Sequence, residues 1–192
     1  MLSHIRPALV SMGLFTALLG LAYPLAVTGI AQAAFPAQAN GSLVRDAKGA
    51  VVGSALIGQP FARAEYLHPR PSAAGTGYDA SASSGSNMGP LNEALATRVK
   101  TEADALRAEN PGAVIPADAV TTSGSGLDPD ISPAFARFQA PRVAKARGLP
   151  VARVEAVIDS NVQGPLLGFI GQPRVNVLAV NRALDARFPR GG

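Results

Sequence analysis

Between Pro7 and Val44 no side chain carries a charge, and Ala8 to Ala34 reads ALVSMGLFTALLGLAYPLAVTGIAQAA. At about 1.5 Å per helical residue, roughly 20 residues cross a hydrocarbon core of about 30 Å, so Ala8 to Ile30 is long enough to span a bilayer with some tilt. Its polar residues are mild: Ser11 and Thr16 can bond carbonyls one turn back, and Tyr23 suits an interface. A cleaved secretory signal is the competing reading, because Ala31-Gln32-Ala33 has the small-x-small form of a cleavage site. Signal cores run about 7 to 15 residues, and this one is longer, which favours an uncleaved anchor over residues 1–34. Arg6 and the amino terminus precede the segment, and no positive charge follows until Arg45. That asymmetry predicts a cytoplasmic N-terminus and an extracytoplasmic domain over residues 35–192.

Such a remainder has the size of one ordinary domain. The pI of about 10.0 raises the question of nucleic acid. The net charge is only +4, from 17 basic and 13 acidic residues, and aromatics are 5% with no Trp. Nucleic-acid binding needs concentrated Lys and Arg with stacking aromatics, so no nucleic-acid partner is expected. Cys is absent, which excludes disulfides and thiolate chemistry, and His4 and His68 are the only histidines. A multi-histidine zinc site is therefore excluded, and no metal site is expected.

Local signals predict an α+β domain. Ser42 to Arg45 and Ala50 to Gly58 form a hairpin around the turn Asp46-Ala47-Lys48-Gly49. His68 to Pro90 is a long loop or linker rich in Gly, Pro, Ser and Ala; the small size of the preceding hairpin favours a loop. Pro90 suits a helix start capped by Gly89 or Asn87, with Leu91, Leu95, Val99 and Leu106 on one face and an end before Pro111. Val114 to Thr122 reads as a short strand, followed by turns from Ser123 to Pro133. Ser132 caps a helix opened by Pro133, which Pro141 should interrupt and restart as PRVAKARG before Gly148 stops it. Pro150 opens another helix with Val151, Val154 and Ile158 inward. The last element, Val175 to Phe188, puts Val177, Val180, Leu184 and Phe188 on one side, and its start has strand character.

Chemistry-bearing constellations are sparse. Neither GxxxxGK[ST] nor GxGxxG occurs, so no phosphate-cradling backbone is signalled. Ser125 lies in Gly124-Ser125-Gly126 rather than a GxSxG elbow, and His68 in a stiff His-Pro-Arg-Pro context is the only histidine outside the N-terminal stub. Asp128-Pro129-Asp130 lacks the further carboxylates of a calcium loop. Arg137, Arg142, Lys145, Arg147 and Arg153 occur with no acid between Ile131 and Val154; they suit either an anionic partner surface or a solvated helix face. No catalytic residue is expected. A membrane-tethered hydrolase, which would lose activity in His68→Ala, and an exported binding module starting at Ala34 remain alternatives.

Six blocks carry a resemblance: Gly53-Ser54-Ala55-Leu56-Ile57-Gly58-Gln59-Pro60-Phe61, Arg70-Pro71-Ser72, Gly85-Ser86-Asn87-Met88-Gly89-Pro90, Ser123-Gly124-Ser125-Gly126-Leu127-Asp128-Pro129, Pro141-Arg142-Val143-Ala144 and Val175-Asn176-Val177-Leu178. In this order they resemble the C-subunit family of the Kdp potassium-transporting ATPases, with Met88 where Leu is commoner. The resemblance implies an accessory subunit of a bacterial inner-membrane complex, without a cofactor of its own. Its implied partners are a potassium-conducting channel-like subunit, a P-type ATPase subunit that uses the ATP, a one-helix subunit and membrane lipid. The family is described as stabilising the assembly and as a catalytic chaperone raising ATP affinity. Gln139 and Arg142 are the polar residues proposed for direct nucleotide contact, yet the charge-derived topology puts them across the membrane from cytoplasmic ATP. Indirect action from the outer face is the expectation that reconciles the two.

Overall fold

The structure is a computed structural model describing residues 2–189. It divides into two compact units, Met1–Ser54 and Ala55–Gly192.

The first unit is dominated by a continuous helical run, Ile5–Ala34, whose most apolar 18-residue stretch has mean hydropathy 1.8 with no residue buried by the rest of the chain. Its first part is α1 (Ile5–Phe15) and its last α2 (Tyr23–Ala34); between them Thr16–Ala22 is a π-helix. Pro24 explains the wide turn. It has no N–H for the Gly20 carbonyl, and its ring would strike that carbonyl in an ordinary α-turn, so a widened ladder relieves the clash upstream. A four-residue α3 (Pro36–Ala39) follows. The predicted hairpin forms from β1 (Leu43–Arg45) and β2 (Val51–Ser54), antiparallel with Val44 opposite Gly53. Its turn is fastened by the Asp46 carboxylate, which accepts from the amides of Lys48 (2.8 Å) and Ala50 (2.9 Å). The second strand ends at Ser54 rather than at Gly58. Gly58 instead donates its amide to the Leu127 carbonyl at 2.7 Å within the second unit.

The core of the second unit is built on three helices and a small sheet, the mixed α+β architecture expected. The helices are α5 (Pro133–Arg147), α6 (Val151–Asp159) and α7 (Val177–Arg187). The strands β3 (Asp130–Ile131), β4 (Val162–Gln163) and β5 (Arg174–Asn176) form an antiparallel sheet in the order β3-β5-β4. Phe135, Phe138, Val143, Val154, Ile158, Val180 and Leu184 are buried in the core, with Ile131 and Val175 from the sheet and Leu67 from a preceding loop. Capping follows chemistry already visible in the sequence. The Ser132 hydroxyl accepts from the Phe135 amide at 3.0 Å, Asn176 caps α7 by accepting from Ala179, and Gly148 closes α5 in the left-handed region (φ 65°). The last element is thus strand and then helix, with Phe188 partly buried against the core.

Further expectations are corrected. Val151, expected inward with Val154 and Ile158, is 38% exposed. Pro141 does not break α5, which runs unbroken through it. The proline is exposed, so the Arg137 carbonyl it leaves without an amide is on the wet side of the helix. The helix expected at Pro90 begins three residues later as α4 (Glu93–Glu109), because the Asn92 side chain caps it by accepting from Ala94 at 2.8 Å. Leu91 is left outside the helix and 96% exposed, while Leu95, Val99 and Leu106 are half-buried. Finally, Val114 to Thr122 contains no strand; it holds only a 3-10 turn at Ala117–Ala119. Asp118 in that turn accepts from both the amide (2.7 Å) and the hydroxyl (2.9 Å) of Ser132, steadying the start of α5.

The Gly-rich segment after His68 is an ordered loop sewn to the turn at 123–128. Ser72 donates to the Gly126 carbonyl (2.6 Å) and accepts from the Ala74 and Tyr78 amides (3.2 and 2.8 Å). Ser84 donates its amide to the Ser125 carbonyl at 3.0 Å, and the Tyr78 hydroxyl bonds the Arg70 carbonyl. Burial first, and the Glu102 carboxylate second, push the Tyr78 phenol up to about 12. An acid whose folded pKa is raised loses stability as pH rises from the unfolded value near 10 to the folded value, because the unfolded chain ionises first. Tyr78→Phe should be less stable than the parent at pH 9, by the lost hydrogen bond, about 1 kcal/mol. It should then lose less stability than the parent between pH 10 and 12, which paired denaturation midpoints across that range will read.

Candidate functional site

Four of the polar residues singled out in the sequence, His68, Gln139, Arg142 and Arg147, meet at one short strap, residues 64–68, which crosses α5 and α7. Arg142 Nη1 donates to the carbonyls of Ala64 (2.6 Å) and Tyr66 (2.9 Å), and Arg147 Nε to that of Glu65 (2.7 Å). Asn181 accepts from the Leu67 amide (2.8 Å) and donates to the Leu67 carbonyl (3.0 Å). Gln139 does the same for His68, at 2.8 and 3.0 Å. Two side-chain amides thus imitate a neighbouring strand, and every carbonyl from residue 64 to residue 68 is taken by a helix side chain. The geometry follows from helix periodicity, since Gln139 and Arg142 lie three residues apart on one face of α5.

Gln139 and Asn181 are each 1% exposed. A buried amide must find partners for its own donors and acceptor, and a buried extended strap must find partners for its backbone; each solves the other's problem. Arg142 adds Glu109 (2.9 Å from Nε) and the Gln139 side-chain oxygen (2.6 Å from Nη2). Arg147 pairs with Asp185 at 2.9 Å and lies over the Tyr66 ring, whose hydroxyl also meets Asp185 at 2.9 Å. The structure therefore brings together Gln139, Arg142 and His68, and directs all three into the chain's own backbone. A nucleotide on Gln139 and Arg142 would have to replace those bonds.

Burial foremost, then the Arg142 charge, lower the His68 pKa below the ordinary value. Its Nε2 sits 3.2 Å from the Arg63 carbonyl. Ser125 serves the turn instead, accepting from the Leu127 amide at 3.1 Å. Of the basic run, Arg142 and Arg147 turn inward, Arg137 pairs with Asp159 at 2.7 Å, and Arg153 lies 6.0 Å from the centre of the Phe188 ring. Arginine's fork explains why two members of a run that reads as a surface stripe go inside: one guanidinium, that of Arg142, satisfies two carbonyls and a carboxylate at once.

An open cleft of about 520 Å³ lies beside β3, lined by Arg70, Asp118, Asp128, Asp130, Ser132 and Arg174 among others. Its carboxylates are engaged. Asp128 pairs with Arg70 at 3.2 Å, and Asp130 meets Arg174 at 3.0 Å and Asn176 at 3.1 Å. Burial foremost raises the Asp130 pKa, with the neighbouring Asp128 charge adding to the rise and Asn176 and Arg174 opposing it. Among the described residues, no group of three or more His, Asp or Glu is placed to hold a metal ion.

Comparison with known proteins identifies the lineage of this architecture. The family model for KdpC, described as the K+-transporting ATPase c chain, matches residues 5–186. The chain belongs to the KdpC family. Its similarity to individual KdpC proteins runs end to end. A potassium-transporting ATPase KdpC subunit of Caulobacter sp. (strain K31) is 83% identical over 192 residues, covering 100% of this chain and 98% of the relative. That of Caulobacter vibrioides (strain NA1000 / CB15N) is 82% identical over 189 residues, covering 98% and 96%. The KdpC subunit of Myxococcus xanthus is 58% identical over 189 residues, covering 97% and 88%. The KdpC match includes the helical run Ile5–Ala34 as well as the strap and its clamps.

Proposed function

We propose that the chain is a non-catalytic accessory subunit of an ATP-driven potassium import complex. The single observation that carries the reading is the KdpC family match from residue 5 to residue 186, apolar helix included. In this reading Ile5–Ala34 anchors the chain in a bacterial inner membrane with the N-terminus in the cytoplasm and the α+β unit outside. Its partners are a potassium-conducting subunit, a P-type ATPase subunit and a small one-helix subunit, which it holds together. ATP is bound and hydrolysed by the ATPase subunit. The accessory chain raises that subunit's ATP affinity indirectly, by favouring one state of the conducting subunit from the outer face. The inward commitment of Gln139 and Arg142 supports the indirect route, because their hydrogen-bonding atoms are already spent on residues 64–68.

Protease shaving of spheroplasts tests the topology, and co-purification tests the assembly. External protease should remove the α+β unit, and detergent-solubilised chain should bring down a polytopic partner and an ATPase. Gln139→Ala should lower the chain's own thermal midpoint while leaving the ATP KM of correctly assembled complex unchanged. A protected, cytoplasmic C-terminus, or a several-fold rise in ATP KM at full assembly, would instead restore direct nucleotide contact.

A further inference from the structure

The connection from β4 to β5 carries an apolar tip that the rest of the chain leaves uncovered. Leu166, Leu167, Phe169 and Ile170 are 67%, 76%, 77% and 49% exposed. No charged residue occurs from Ser160 to Pro173. Single exposed apolar residues are ordinary, but four large ones around one tight turn are a patch.

We propose that this tip enters the interfacial layer of the lipid bilayer on whichever side the α+β unit lies. The tip's backbone is prepared for a water-poor setting. The Leu166 and Ile170 residues bridge through amide-to-carbonyl bonds of 2.9 Å in each direction, Gly168 donates to the Pro165 carbonyl (3.1 Å), and Phe169 to the Leu166 carbonyl (3.3 Å). A loop with open amides would resist leaving water; this one has closed most of its own. The turn also holds Leu167 in the left-handed region (φ 54°) beside Gly168 (φ 83°), a conformation that a leucine rarely adopts. The tip is a narrow turn, and a fluid interface asks no shape complementarity of it.

Reach is assured by covalent structure. Roughly 20 residues join Ala34 at the end of the apolar helix to Ala55, so the unit stays within about 70 Å of its anchor even if the link were fully drawn out. A tethered domain meets the bilayer at high effective concentration, which lets a small apolar tip bind where a free one would not. The inference rests on the anchoring reading above.

Because the chain has no Trp, Phe169→Trp installs a single fluorescent reporter at the tip. Full-length chain carrying it, reconstituted in phosphatidylcholine liposomes, should emit to the blue of a Leu91→Trp control and lose at least half its intensity in dibrominated phosphatidylcholine. Both leaflets carry bromine, so the orientation of insertion does not matter. Ile170→Trp, across the turn, should behave alike. Emission matching Leu91→Trp with no bromolipid quenching in either probe overturns the inference while leaving anchoring intact. A blue shift that needs the other subunits and is untouched by bromolipid also overturns it, in favour of a protein pocket. Failure of the chain to float with liposomes overturns both the anchoring and the inference built on it.

Discussion

Asn181→Ala should be among the most damaging single changes in the second unit, lowering stability by about 3 kcal/mol. The loss has two parts, because one side chain serves two buried groups: the amide and the carbonyl of Leu67, itself 0% exposed. Each orphaned group costs roughly 1–3 kcal/mol when water cannot reach it. Asn181→Leu should not rescue, since it fills the volume but bonds neither group. Asn181→Asp should be as harmful as alanine, because a carboxylate facing the Leu67 carbonyl puts two acceptors together in a dry place. Urea midpoints of the three variants in detergent, with the parent beside them, check the order. Near-parental stability in Asn181→Leu would show that the strap finds its partners elsewhere.

Gly126→Ala should cost a comparable amount, at least about 3 kcal/mol, by a different route. At φ 67° any Cβ is strained, and here it would also lie 2.6 Å from both the Ala74 amide nitrogen and the Ser84 carbonyl oxygen. Both contacts are backbone, so neither can swing aside. Gly112→Ala separates the two causes. Its φ is +81° with nothing within 4 Å of the added atom, so it should lose only the backbone strain, about 1 kcal/mol. Thermal midpoints of the pair give the difference, and proteolysis of Gly126→Ala should cut first within residues 68–90, whose fastening to the 123–128 turn the new methyl would pry open. Equal midpoints for the two variants would mean that the close approach is not maintained.

Much of the fold was legible because it is local. The apolar run, the Asp46 turn, the Ser132 cap ahead of Pro133, the Gly148 stop and the inward stripe of Val177, Val180 and Leu184 each depend on residues within a few positions of one another. The failures came where a distant partner or an alternative cap decided the outcome. Pro141 looked like a break because its missing amide is visible in sequence, whereas its exposed position is not. Asn92 outcompeted Asn87 and Gly89 as a cap, and nothing in periodicity ranks them. The strap was illegible: its bonds join residues 71 to 114 positions apart, and Gln139, Arg142 and Asn181 look like ordinary surface polar residues until the helices are packed. The tip at 166–170 is illegible for the opposite reason. Leu-Leu-Gly-Phe-Ile reads as core, and only the folded chain reveals that nothing covers it.

The π-turn ahead of Pro24 has a consequence for anyone grafting or aligning this apolar helix. Each residue in such a coil advances through a smaller angle than in an ordinary helix, so the azimuth of everything after Ala22 lags behind the one extrapolated from Ile5–Phe15. A contact stripe drawn straight from one end of the rod to the other would therefore slide off its true neighbours midway. Deleting one residue between Thr16 and Ala22 would not merely shorten the rod but also change the direction in which the residues after Ala22 face.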